Sequence, residues 1–179
     1  MLFGKRSWLK WAGRAMLVLF VPLCLLLVAE GALKSVSRGM DPSFVVRDEA
    51  GGYWRDNPDV GRLWFAPGLV RAPVPFRVGD ARPDLRVAVV GESAAMGDPE
   101  PAFGLAATLR EVLSRQYPGR TVEVVNAAMT AIDSSIIRAI VRDLAPLRPD
   151  VVVVYMGNNE VVGPFGPASS DTPDRKSVV

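Results

Sequence analysis

Ser93 stands two residues after Gly91 and four before Gly97, with Ala94 and Ala95 beside it. The glycine lets the chain turn tightly and the alanines leave the hydroxyl uncrowded. The serine can therefore face a crevice at the end of a strand, where α/β proteins keep their chemistry. Such a hydroxyl is a candidate nucleophile, although a weak one unless a base takes its proton. The chain contains no histidine. Polar residues gather at two further turn-like places, Asn126 ahead of Ala127-Ala128-Met129-Thr130, and Asn158-Asn159-Glu160 after Gly157. Taken singly, each of these residues reads as an ordinary turn or cap. A nucleotide-binding turn fits Gly91–Gly97 poorly, because Ser93 and Met96 break the glycine pattern and no suitably placed basic residue follows. The nucleophile elbow G-x-S-x-G fails as well, since Ala95 occupies its last position.

The elements that would position these residues follow from hydrophobic patterning. Leu85–Gly91 is almost uninterrupted by polar residues and reads as a parallel strand covered on both faces. Leu105, Leu109, Val112 and Leu113 fall at helical spacing, ended by Tyr117-Pro118-Gly119. Thr121–Val125 reads as a second strand. Asp133 or Ser134 can cap a helix with Ile136, Ile137, Ile140, Val141 and Leu144 on one side, which Pro146 stops. Val151–Met156 reads as a third buried strand. The order β-α-β-α-β implies right-handed crossovers and a parallel sheet.

GESAAMG at Gly91–Gly97 resembles the first block of the SGNH, or GDSL, hydrolases, with Glu92 where the usual motif has aspartate. Asn126-Ala127-Ala128 is similar to the second block, with alanine for its glycine, and Gly157-Asn158-Asn159-Glu160 to the third, G-x-N-D, with glutamate for aspartate. The three blocks stand in order at three successive strand ends, over Leu85 to about Pro167. The wording of the blocks is most similar to a membrane-anchored subgroup of that family. The resemblance implies a truncated flavodoxin-like parallel sheet of strand order 2-1-3, in which Ser93, Ala128 and Asn159 converge on one crevice. Ser93 would be the nucleophile. Its own backbone N–H, the backbone N–H of Ala128 and the side-chain amide of Asn159 would hold the oxyanion. Glu92 and Glu160 are expected to brace loops and not to form a catalytic pair. The family's general base comes from a D-x-x-H block near its C-terminus, which has no counterpart here, so the chain is expected to be the N-terminal part of an enzyme and inactive as it stands, with its third strand left as an open edge of the sheet.

Composition bounds the remainder. With 179 residues, 49% hydrophobic content and a net charge of +2, the chain has room for one modest domain plus something apolar, and no charge signature for nucleic acid. Ala15–Ala29 carries no charge, follows Lys5, Arg6, Lys10 and Arg14, and reaches membrane-spanning length with its flanks. The basic residues ahead of it place the N-terminus in the cytoplasm and the domain outside. A single-pass anchor in the cytoplasmic membrane, with the domain facing the periplasm or exterior, is the expectation, ahead of a signal peptide cleaved after Ala29-Glu30-Gly31. Cys24, the single cysteine, lies in the span, so no disulfide or cysteine-based metal site forms within one chain.

Residues 1–36 thus form the basic segment and anchor, 37–83 a proline- and aromatic-rich extended lead-in, and 84–173 a partial hydrolase-like domain. Tyr53, Trp54, Trp64, Phe65 and Phe76 are expected to pack against that domain and not to form a sugar-binding platform. Residues 174–179, DRKSVV, match the translation of a common sequencing-adapter word and are expected to be non-native. The expected activity is that of an extracytoplasmic serine esterase acting on an acyl-ester small molecule or glycan, without metal or cofactor. Alternatives are an acyltransferase acting on cell-surface glycans and a non-catalytic interaction module of the same fold.

Overall fold

The computed structural model describes residues 5–36, 41–164 and 166. The tail at 174–179 lies outside these residues. The chain divides into two units, the second beginning at Asp41.

The first unit is one helix, α1 (Lys5–Val36), of 32 residues. Met16–Ser35 forms a 20-residue apolar window, about 30 Å at 1.5 Å per residue, which matches the hydrocarbon core of a bilayer. Its leucines and valines are exposed around the helix, as expected of a segment whose solvent is lipid. Pro22 lies inside it, a placement membrane helices tolerate. This helix is of a kind that serves as a single-pass anchor or as a signal sequence.

The second unit is mixed α/β. Its centre is a parallel three-stranded sheet of β4 (Leu85–Gly91), β5 (Val122–Asn126) and β6 (Val151–Tyr155), in the order β5-β4-β6. The first strand in sequence is central: the chain crosses from it to β5 on one side and then passes back across it to β6 on the other. Helix α3 (Leu105–Gln116) covers one face, packing Leu105, Ala106, Leu109 and Leu113 on Val87, Val89 and Val124. Val112, expected on that face, is exposed. Helix α4 (Ser134–Asp143) covers the other with Ile136, Ile137 and Ile140, while Val141 is turned partly outward. Of the two candidate caps, Asp133 is the residue used, and its carboxylate accepts the N–H groups of Ser135 and Ile136 at 3.0 and 3.2 Å. Such a cap contributes about 1 kcal/mol.

The expected lead-in is more than extended chain. β1 (Val45–Asp48), β2 (Tyr53–Asp56) and β3 (Arg77–Gly79) form an antiparallel sheet, and Phe44, Val45, Val60, Phe65 and Val78 enter the same core as Ala88, Val90 and α4. Trp54, Trp64 and Phe76 pack on that core, while Tyr53 lies beside Arg77, whose guanidinium is 5.1 Å from its ring centre.

The reading of Val151–Met156 as buried is overturned. Val154 and Tyr155 are 54% and 53% exposed. Among the described residues β6 pairs with β4 alone, and Val153 is the one residue of Val151–Tyr155 that is partly buried, against the cluster that holds Ala106 of α3. Its apolar sequence is that of a covered strand; its position is a sheet edge.

Candidate active site at three strand ends

β4 ends at Gly91, whose φ of 155° lies where side chains are strained. A Cβ there would stand 1.9 Å from the Tyr155 carbonyl oxygen and 2.7 Å from Ala95 Cβ. The missing side chain therefore lets β4 run against β6 and turn at once into α2 (Ser93–Met96), a single helical turn closed by Gly97 at φ 90°.

Glu92 is fully buried. Its carboxylate accepts the backbone N–H groups of Gly157, Asn158 and Asn159 at 3.0, 2.7 and 3.2 Å. A buried carboxylate is costly unless hydrogen-bonded, and here three donors meet it. Glu160 accepts the backbone N–H and hydroxyl of Ser134 at 2.9 and 2.7 Å. Both glutamates are thus engaged in fastening loops.

The other ties complete a ring. Asn159 donates from its side-chain amide to the Ile132 carbonyl at 3.1 Å, joining the third loop to the second. Asn126 donates to the Met96 carbonyl at 2.9 Å, and Met129 N–H donates to the Gly91 carbonyl at 3.0 Å, joining the second loop to the first. First loop to third, third to second, and second to first, the three strand ends are mutually fixed.

Ser93 occupies the first position of α2 and is half-buried, and among the described residues its hydroxyl has no hydrogen-bond partner. Asn159 is also half-buried, with one amide hydrogen on Ile132 and a second left over. Ala128 differs: it is fully buried, and its N–H donates to Asn126 Oδ1 at 3.2 Å, so this donor already has a resident acceptor. The loops of Ser93, Ala128 and Asn159 come together at the carboxyl ends of the strands, with the Ser93 hydroxyl and the spare Asn159 hydrogen open and the Ala128 N–H occupied.

Ala131 went unnoticed in the sequence. It holds φ 62°, a left-handed conformation costing an alanine about 1–2 kcal/mol, and among the described residues its N–H meets no acceptor. Strain of this kind collects at functional loops. No residue type announces it, because the usual glycine is missing.

Among the described residues no group of histidine, cysteine, aspartate or glutamate is arranged to hold a metal. The carboxylate nearest Ser93 in sequence, Glu92, is spent on three N–H groups, and Asp98 accepts the Thr130 hydroxyl at 3.1 Å. Compared with protein-family models, curated proteins and solved structures, the chain matches none of them.

Proposed function

We propose that this chain carries the nucleophile and part of the oxyanion site of an SGNH-type serine ester hydrolase on a truncated flavodoxin-like sheet. Helix α1 holds it in the cytoplasmic membrane, with the second unit outside the cytoplasm. The observation that carries the reading is the ring of hydrogen bonds that fixes three strand-end loops while leaving the Ser93 hydroxyl unengaged. A structural serine at a helix start commonly bonds a nearby backbone group; this one is left open, on a loop tied through Glu92 to the loop that carries Asn159. Attack by Ser93 Oγ on an acyl ester would place negative charge on the former carbonyl oxygen. The Ser93 N–H and the second hydrogen of Asn159 would then stabilise it. The serine proton needs an acceptor from outside these 179 residues, which contain no histidine. The substrate class is an acyl-ester small molecule or glycan, and acyl transfer to a cell-surface glycan uses the same groups.

A second reading, a non-catalytic module of the same fold, is favoured by one observation, the occupied Ala128 N–H.

Chemical rescue separates the two. The full chain in non-ionic micelles should hydrolyse a short aryl ester at background rate, since loss of the base costs on the order of a million-fold. Added imidazole should produce turnover that is absent in Ser93→Ala. A version extended to include a D-x-x-H segment should be active, and Asn159→Ala should slow it by roughly a hundred- to a thousand-fold. If neither imidazole nor extension gives Ser93-dependent turnover, the non-catalytic module stands.

A further inference from the structure

At the opposite end of the parallel strands, about 20 Å from Ser93 by the rise of β4, lies a cavity of about 510 Å³. Arg47, Arg82, Arg86 and Arg148 line it, with Trp54 and a single carboxylate, Asp80. Three of these arginines are paired with a carboxylate, Arg47 with Asp80, Arg82 with Asp150 and Arg86 with Glu123, so the lining carries an excess of one positive charge, at Arg148. The cavity's size is that of a small-molecule site.

The arginines are held in distinct ways. Arg86 is buried and bonds Glu123 and the carbonyls of Leu147 and Ala81. Arg47 forms a two-pronged pair with Asp80 and lies 5.3 Å over the Trp54 ring centre. Arg82 pairs with Asp150 at 2.7 Å. Arg148 alone has no carboxylate or carbonyl partner for its side chain among the described residues, yet it is fixed on a left-handed turn at φ 50°, one residue past Leu147. The paired guanidinium groups are thereby pre-positioned, and one remains uncommitted. An arginine fork recognises tetrahedral oxyanions, and a dianion with three oxygens can engage more than one fork.

We infer that this cavity binds the phosphate group of a phosphorylated small molecule or lipid headgroup, with Arg148 as its principal ligand and Arg82 and Arg47 flanking it. Trp54 supplies an apolar wall for the organic part. The site uses none of the residues proposed for ester hydrolysis and stands or falls independently of that function.

The test is calorimetric titration of the full chain in non-ionic micelles with glycerol 3-phosphate and with inorganic phosphate. Saturable binding is expected, weakening as salt rises. Arg148→Gly, which suits the left-handed turn, should lower affinity at least about tenfold. Arg82→Gln should lower it as well, and near-UV circular dichroism will verify that each variant is folded. Arg138→Ala, on the exposed side of α4, should bind as the parent does. Doping the micelles with phosphatidate identifies the source: competition with glycerol 3-phosphate points to a lipid headgroup, and its absence to a soluble phosphate, either with the site intact. No saturable binding of either phosphate, or an equal loss in Arg138→Ala, overturns the inference.

Discussion

The carboxylate of Glu92, at the end of β4, accepts the backbone N–H of Asn158, beyond the end of β6, at 2.7 Å, and the flanking N–H groups of Gly157 and Asn159 bond the same carboxylate. One side chain of the first loop thus sets the backbone of the third. Glu92→Gln would replace one acceptor oxygen by an NH2 group facing N–H donors. We expect it to lower unfolding stability by about 3 kcal/mol, the scale of a few lost charge-assisted bonds with buried groups left unsatisfied. Guanidinium unfolding followed by near-UV circular dichroism measures this, and a change below about 1 kcal/mol would show that the clasp is dispensable.

Two small residues near the site should respond in opposite directions. Gly91→Ala brings a Cβ into the Tyr155 carbonyl, a backbone group that cannot swing aside, and should cost about 2–4 kcal/mol. Ala131→Gly relieves left-handed strain at φ 62° while adding freedom to the unfolded chain, so it should be neutral or gain up to about 1 kcal/mol. Equal destabilisation in the same unfolding assay would contradict both backbone arguments.

What the sequence disclosed follows from the length of each pattern. β4, α3, β5 and α4 carry sustained apolar runs or helical periodicity, and their places along the chain were legible to within a few residues. β1, β2 and β3 are only three or four residues long and sit among prolines, so a two-residue alternation has no length in which to declare itself. β6 was legible as a strand and, from the resemblance, as an open edge, but its exposure could not be read from its own composition, because Val151–Tyr155 is the same whether or not a layer covers it. At the site, the bracing glutamates could be anticipated from their positions beside Ser93 and Asn159. The capture of the Ala128 N–H by Asn126 and the conformation of Ala131 depend on loop dihedrals that no periodicity encodes.

Acid should loosen the sheet from its amino ends. Asp84 accepts the backbone N–H and hydroxyl of Thr121 at 2.7 and 2.9 Å, tying β4 to β5, and the backbone bond, followed by the hydroxyl bond, holds its pKa below the ordinary 3.8. Asp150 accepts the Arg86 N–H and pairs with Arg82, tying β4 to β6, and those two bonds in that order depress its pKa as well. A depressed carboxylate pKa means that the folded state binds fewer protons than the unfolded one. The stabilisation is therefore present above about pH 3.8 and is lost as pH falls through the lower folded-state values. Urea midpoints measured from pH 6 to pH 2.5 should fall steeply below pH 4. In Asp84→Asn/Asp150→Asn the midpoint should start lower and vary less with pH; an unchanged slope would remove these two residues from the account.

The edge position of β6 predicts a contrast between two valines in neighbouring strands. Val154, paired in register with Val90, is 54% exposed, whereas Val90 is fully buried. A lysine at 154 keeps its ammonium in water and breaks an uncharged, apolar stretch on an open edge, the kind of strand that recruits other chains. Val154→Lys should change unfolding stability by no more than about 0.5 kcal/mol and reduce concentration-dependent light scattering of the chain in non-ionic micelles. Val90→Lys drives a charge into the core between β4 and α4 and should leave no folded second unit by near-UV circular dichroism. Were Val154→Lys to unfold the unit as Val90→Lys does, β6 would have to be covered after all.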